Sequence, residues 1–315
     1  MNRYSLLIFT LFVQLSSLWA QSNTAQPVIH LRAAVDQLRL RSQANKNAAV
    51  VAVVAENEQL TYLGETGGAL ENITLRGVAH RARWYKVRPV NDPDKTGWVY
   101  GGAVTLSSVF LPDGVSPGTI REDFLQIYPI RSDEFDDNQP PAGLLRDTAG
   151  YMSNEHAIRL PFKDGSTRIL ADTISADAYG DGENDLVYTY QGRLEAIDQY
   201  VVEKTGYEWN VMQFWNRKNG QLCQSLDYPL GLPSLSPDAR WVALAYADPY
   251  ETLGGLQLFW ADDTGLYPAF NIEQNDRTAQ GYWKASSGEF YFRWAPIMSG
   301  NEAASVWYRM RVLIR

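Results

Sequence analysis

Between residues 177 and 187 the chain reads "DAYGDGENDLV", which places Asp177, Asp181, Glu183 and Asp185 within nine positions around two glycines. Closely spaced carboxylates of this kind can converge, with a backbone carbonyl, on a hard cation such as calcium. A helical calcium loop needs a bidentate Glu at the twelfth position, and that position is Tyr188, inside the alternating run "LVYTY". Two readings stay open: a turn tied by calcium, with a structural and not a catalytic role, or an ion-free acidic turn built from residues that tolerate positive φ. Other reactive groups are sparse. The single cysteine, Cys223, has no identifiable His partner and reads as a buried strand thiol. His30, His80 and His156 are scattered, and no G-x-S-x-G, Walker or H-E-x-x-H pattern occurs. Acidic runs such as "DEFDD" read as solvated surface. Paired carboxylates of the C-terminal half supply the alternative reading, an exported hydrolase acting on sugars or peptides.

A second set of candidate residues is aromatic. Tyr62, Trp84, Tyr85, Trp98 and Tyr100 cluster in the first third of the chain and are candidates for binding a ligand. Each also has a reading as core, because large aromatics dominate burial in small β-barrels. The elements that must position them are strands. Period-two alternation and turn residues recur throughout and helical periodicity is almost absent, so the chain is expected to be all-β. Its 315 residues suffice for two units, each with a core of its own. Residues 28–108 carry ten Lys or Arg against seven Asp or Glu, whereas 109–315 carry seventeen against twenty-nine. With a net charge of −8 overall, nucleic acid is not an expected partner. The proline-broken, acidic segment 109–150 reads as a linker and irregular segment, and residues 151–315 as a repeated all-β unit.

Within the front unit, "LRLRS" at Leu38 to Ser42, "EQLTYL" near Glu58 to Leu63, "WYKV" at Trp84 to Val87 and "GWV" at Gly97 to Val99 keep a recognisable order and spacing. This resembles the bacterial SH3 family, which implies a small SH3-like barrel that docks a peptide or a cell-wall component. Two departures stand out: Ala44 replaces a common proline, and "GGALENITLRGVAHRAR" lengthens the loop before Trp84. In the back unit, three strand-turn-strand stretches centre on Gly165, Gly220 and Gly265, spaced like propeller blades. The turn Ser236, Pro237, Asp238 ahead of Trp241 resembles that of bacterial propeller repeats. The Asp177 loop resembles the calcium loop of FG-GAP or integrin-type blades, with Tyr179 standing where that family has Asp or Asn. These resemblances imply a propeller-like domain, open or incomplete at this length, or a β-sandwich.

Residues 1–20, "MNRYSLLIFTLFVQLSSLWA", have the layout of a secretory signal peptide cut near Ala20. The expectation is an exported protein of a bacterial envelope, periplasmic or secreted, without a later membrane span. Its expected function is non-catalytic binding, the SH3-like unit meeting a cell-wall peptide or protein partner and the acidic back unit offering a second surface. The sole cofactor expected is structural calcium.

Overall fold

The computed structural model describes residues 26–113, 115, 117–146, 152–154, 157–173, 185–248, 250–251, 253–262, 265–297 and 305–313. The expected signal peptide and the expected calcium ligands Asp177, Asp181 and Glu183 lie outside these residues. The described chain is all-β, with only three short 3-10 turns. Its front strands are β1 (Val28–Ala33), β2 (Leu38–Arg41), β3 (Val50–Val54), β4 (Gln59–Leu75), β5 (Val78–Pro89), β6 (Gly97–Tyr100) and β7 (Val104–Phe110). They pair in the order β7-β1-β4-β5-β6-β2-β3. This is the SH3-like unit, and it is not closed by hydrogen bonds, since β3 and β7 do not pair.

The strands follow from alternation. In β2, "LRLR", Leu38 and Leu40 are buried while Arg39 is exposed and Arg41 half-buried. In β5 Tyr85 and Val87 face the interior as period two requires, yet their neighbour Trp84 is also buried. The reason lies in β4, where Gly67 pairs with Trp84 and the next paired residue is Glu71, opposite Ala82. The intervening residues bulge, and a bulge re-aims the side chains beside it. Positive φ at Gly68 lets the chain pass close to the indole, where a Cβ would stand 3.1 Å from Trp84 Cδ1.

Segment 109–150, expected as a linker, is built into the fold. It carries β8 (Ile120–Arg121), β9 (Leu125–Ile130) and β10 (Leu144–Leu145). Alternating apolar residues explain the difference: Ile120, Leu125 and Ile127 are buried, and the prolines fall between strands or, as Pro129, in the exposed part of one. The remaining strands are β11 (Met152–Asn154), β12 (Ala157–Pro161), β13 (Thr167–Ala171), β14 (Val187–Leu194), β15 (Gln199–Thr205), β16 (Asn210–Asn216), β17 (Leu222–Asp227) and β18 (Pro229–Leu235). They are followed by β19 (Trp241–Ala247), β20 (Leu253–Ala261), β21 (Leu266–Asn275), β22 (Arg277–Lys284), β23 (Glu289–Pro296) and β24 (Val306–Val312). These make antiparallel sheets in the orders β11-β12-β13, β10-β14-β15-β16-β17 and β22-β23-β24-β9-β8. The stretches around Gly165, Gly220 and Gly265 are the hairpins β12-β13, β16-β17 and β20-β21.

The fourth set, β18-β19-β20-β21, is not separate. β21 pairs in parallel with β7, so one eleven-stranded sheet runs through front and back units. The two cores expected to be separate are correspondingly joined. One apolar cluster contains Leu31, Leu60 and Tyr85 of the front unit together with Phe124, Ile272 and Trp294 of the back. Each buried Leu or Phe contributes about 1.5–3 kcal/mol, so cutting such a cluster at residue 110 would expose much of what holds either part.

Candidate functional site: a basic groove over Trp84

The outward face of β2, the turn after it and the long β4-β5 hairpin enclose a groove of 620 Å3 on the front unit. Alternation in β2 delivers Arg39 and Arg41 to it, the turn adds Lys46, and the hairpin adds Asn72 to Arg76. Trp84 and Tyr100 form its inner wall, their rings 5.7 Å apart and edge to face. Both are pinned by polar contacts. Trp84 Nε1 donates to Glu71 Oε1 at 3.2 Å. The Tyr100 hydroxyl shares its proton between the carbonyls of Glu71 and His80, at 2.8 and 2.7 Å, and accepts from the Ala82 N–H. Burial pushes this phenol up from its usual value.

The cations differ in their commitments. Arg41 donates to the Ala48 carbonyl at 2.7 Å, and Arg76 pairs with Glu56 at 2.8 Å on open surface. Arg39 and Lys46 are exposed and have no carboxylate partner among the described residues. Asp36 lines the same groove, so Arg39, Arg41 and Lys46 leave it a net excess of positive charge beside fixed aromatic walls, an arrangement suited to an anionic ligand.

The five aromatics proposed from sequence do not form one surface. Tyr62, Trp84, Tyr85 and Tyr100 are 7%, 2%, 6% and 4% exposed and belong to the core. Trp84 and Tyr100 reach the groove only as its wall. Tyr62 and Tyr85 are covered from the other side by Phe124, whose ring lies 5.7 and 5.5 Å from theirs. Trp98 is half-buried against Gly67, where a Cβ would stand 2.7 Å from its ring. Sequence reasoning missed Arg39 and Lys46, although the polar positions of "LRLR" already placed Arg39 opposite the buried leucines.

Of the four acidic residues proposed for calcium, only Asp185 is described. It immediately precedes Leu186, whose N–H and carbonyl pair with Thr173 at 2.8 and 2.9 Å. Among carboxylates of the back unit, burial holds Glu122 and Glu273 above the ordinary range, and the two line separate concavities. Cys223, expected as a buried thiol, is half-buried in β17.

Comparison with known families bears on the front unit. Residues 36–105 match the family described as the bacterial SH3 domain. The match spans β2 through β6 and takes in Arg39, Lys46, Trp84 and Tyr100. No curated protein and no solved structure matches the chain.

Proposed function

We propose that this protein is an exported, non-catalytic binding protein whose SH3-like unit docks an anionic peptide or cell-wall component in the Trp84 groove. The observation that carries the reading is the pair Arg39 and Lys46, which flank the groove without acidic partners among the described residues. A carboxylate or phosphate group between them gains charge-assisted hydrogen bonds, while Trp84 and Ile73 supply apolar contact. The acidic back unit is then the second interaction surface, its negative field turned to a different partner. Export rests on the pattern of residues 1–20, and no helix among the described residues is long and apolar enough to cross a membrane. Calcium at the Asp177 turn is a separate proposal, structural in role and carried by the spacing of its carboxylates.

The test is co-sedimentation of the full chain with purified bacterial wall material. Retention is expected, with a marked fall as salt rises, because exposed charges are screened beyond about 10 Å at 0.1 M salt. The double variant Arg39→Ala, Lys46→Ala is expected to lose retention at low salt while keeping its unfolding midpoint. Equal retention of the parent and the double variant would overturn the assignment of the groove.

A further inference from the structure

Where β21 joins β7, the eleven-stranded sheet has two chemically opposite faces. One row across it, Leu256, Ile272, Val109 and Ile29, is buried in the common core. The adjacent row runs Gln257, Asn271, Ser108, His30 and Thr61 through five strands, all polar. Directly paired residues share a face of the sheet, so this row lies on the side away from that core. A concavity of 300 Å3 opens there, with Arg32 and Glu273 among its lining residues.

The polar groups are held in place. His30 pairs with Ser108 and Leu31 with Leu106, which leaves Ser107 as the extra residue of a bulge. Both serines line the concavity, and Arg32 Nη2 donates to Ser107 Oγ at 3.3 Å. Gln257 uses both N–H groups on the carbonyls of Leu258 and Phe270, at 2.9 and 3.0 Å, so its remaining polar atom is the amide oxygen. Asn271 Nδ2 donates to Glu273 Oε2 at 2.5 Å, and the Tyr246 hydroxyl reaches the same oxygen at 3.3 Å. Tyr246 crosses to Glu273 over Gly255, which stands between them in the row and where a Cβ would run into the Ile272 carbonyl.

We propose that this concavity binds a small uncharged saccharide, held through Arg32, Ser107, Ser108, Gln257, Asn271 and Glu273. One cation and one carboxylate cancel, so the site selects no net charge. Fixed hydroxyls, planar amides, a carboxylate and a guanidinium supply donors and acceptors at close spacing, as vicinal hydroxyls demand. Phe270 is buried beneath them and offers no open ring to a lipid or a planar aromatic ligand. The volume is at the small end of ligand sites, enough for a sugar but not for a polymer segment. The site needs β1 and β7 of the front unit and β20 and β21 of the back, which gives the shared sheet a binding role. It is independent of the Trp84 groove.

The experiment is ligand-observed saturation-transfer NMR on the full chain with methyl β-glucoside, methyl α-mannoside and N-acetylglucosamine as probes. Transfer to at least one is expected, with affinity lowered about tenfold or more in Asn271→Ala, which removes an amide, and in Glu273→Gln, which turns one acceptor oxygen into a donor. Arg32 is exposed, so Arg32→Ala keeps the fold and decides the matter if the other variants unfold. No transfer from any of the three, or equal transfer in Arg32→Ala and the parent, overturns the proposal. Transfer to glycine or alanine in place of the sugars also overturns it, because a zwitterion would then be the ligand.

Discussion

The Tyr62 hydroxyl donates to Glu122 Oε2 at 2.8 Å, a contact between residues sixty positions apart that fastens the front unit to the segment following it. The Thr66 hydroxyl lies 2.9 Å from the same tyrosine oxygen, and Phe124 packs edge to face on Tyr62 and Tyr85. An aromatic face that the front unit would otherwise offer to a partner is thus occupied by the chain itself. The proposed groove over Trp84 does not use that face, since neither Tyr62 nor Tyr85 lines it.

Glu122 gives this joint a pH dependence. Burial raises its carboxyl above the ordinary 4.5, neighbouring Asp123 adds to the rise, and the Tyr62 hydrogen bond opposes it. The folded chain therefore binds this proton more tightly than the unfolded chain. Stability from this group is greatest below pH 4.5, falls as pH rises through the ordinary and then the raised value, and is level above. Glu122→Gln is expected to flatten urea-unfolding stability as pH rises from below 4.5 through the raised value. Glu273 contributes with the same sign, so the double variant with Glu273→Gln is flatter still. An unchanged slope in Glu122→Gln would refute the burial of that carboxyl.

Phe124→Ala tests whether the units share one core. The ring is buried against two tyrosines, and deleting such a side chain costs about 3–5 kcal/mol. Because the apolar cluster is continuous, the loss is expected as one earlier transition, seen equally by tryptophan fluorescence and by far-UV circular dichroism. Two transitions, with only the first shifted, would mean that front and back unfold independently.

Much of the local architecture was legible in the sequence. "LRLR" predicts its own two faces, and "SPDARW" predicts a turn that the structure ties by Ser236. What escaped was non-local. "REDF" at 121–124 looks like solvated linker, and only the chain path shows that Phe124 completes a core begun sixty residues earlier. The polar row from Gln257 to Thr61 depends on strand register, where a one-residue slip exchanges the faces. Arg39 and Lys46 were visible as charges, but their lack of partners is a property of the folded surface. The groove wall was half legible: Trp84 and Tyr100 were singled out, and the bulge that buries Trp84 was not.

Ser236 is expected to matter for stability alone. Its Oγ accepts from the N–H groups of Trp241 and Arg240, at 2.9 and 3.2 Å, and its hydroxyl reaches Asp238 at 2.6 Å. The residue is 4% exposed, so alanine leaves the Trp241 amide buried without that acceptor. Ser236→Ala should cost about 1–3 kcal/mol in chemical denaturation without changing ligand affinity. A neutral substitution would mean that the backbone pairing of Ser236 with Trp241 is sufficient to hold the turn.

Calcium at Asp177, Asp181, Glu183 and Asp185 is tested by stability. An ion that binds only the folded chain raises its stability by mass action, by about 2.7 kcal/mol at a hundred times the dissociation constant. Thermal unfolding of the full chain is therefore expected to shift upward from chelator to millimolar calcium, and Asp181→Asn should reduce the shift by removing one anionic ligand. Magnesium should do less, because it demands tight octahedral geometry and gives up its waters reluctantly. Thr173 and Leu186 already pair through their backbones, so the ion's contribution would be to gather carboxylates that otherwise repel one another. An unfolding midpoint that is the same with chelator and with calcium overturns the proposal.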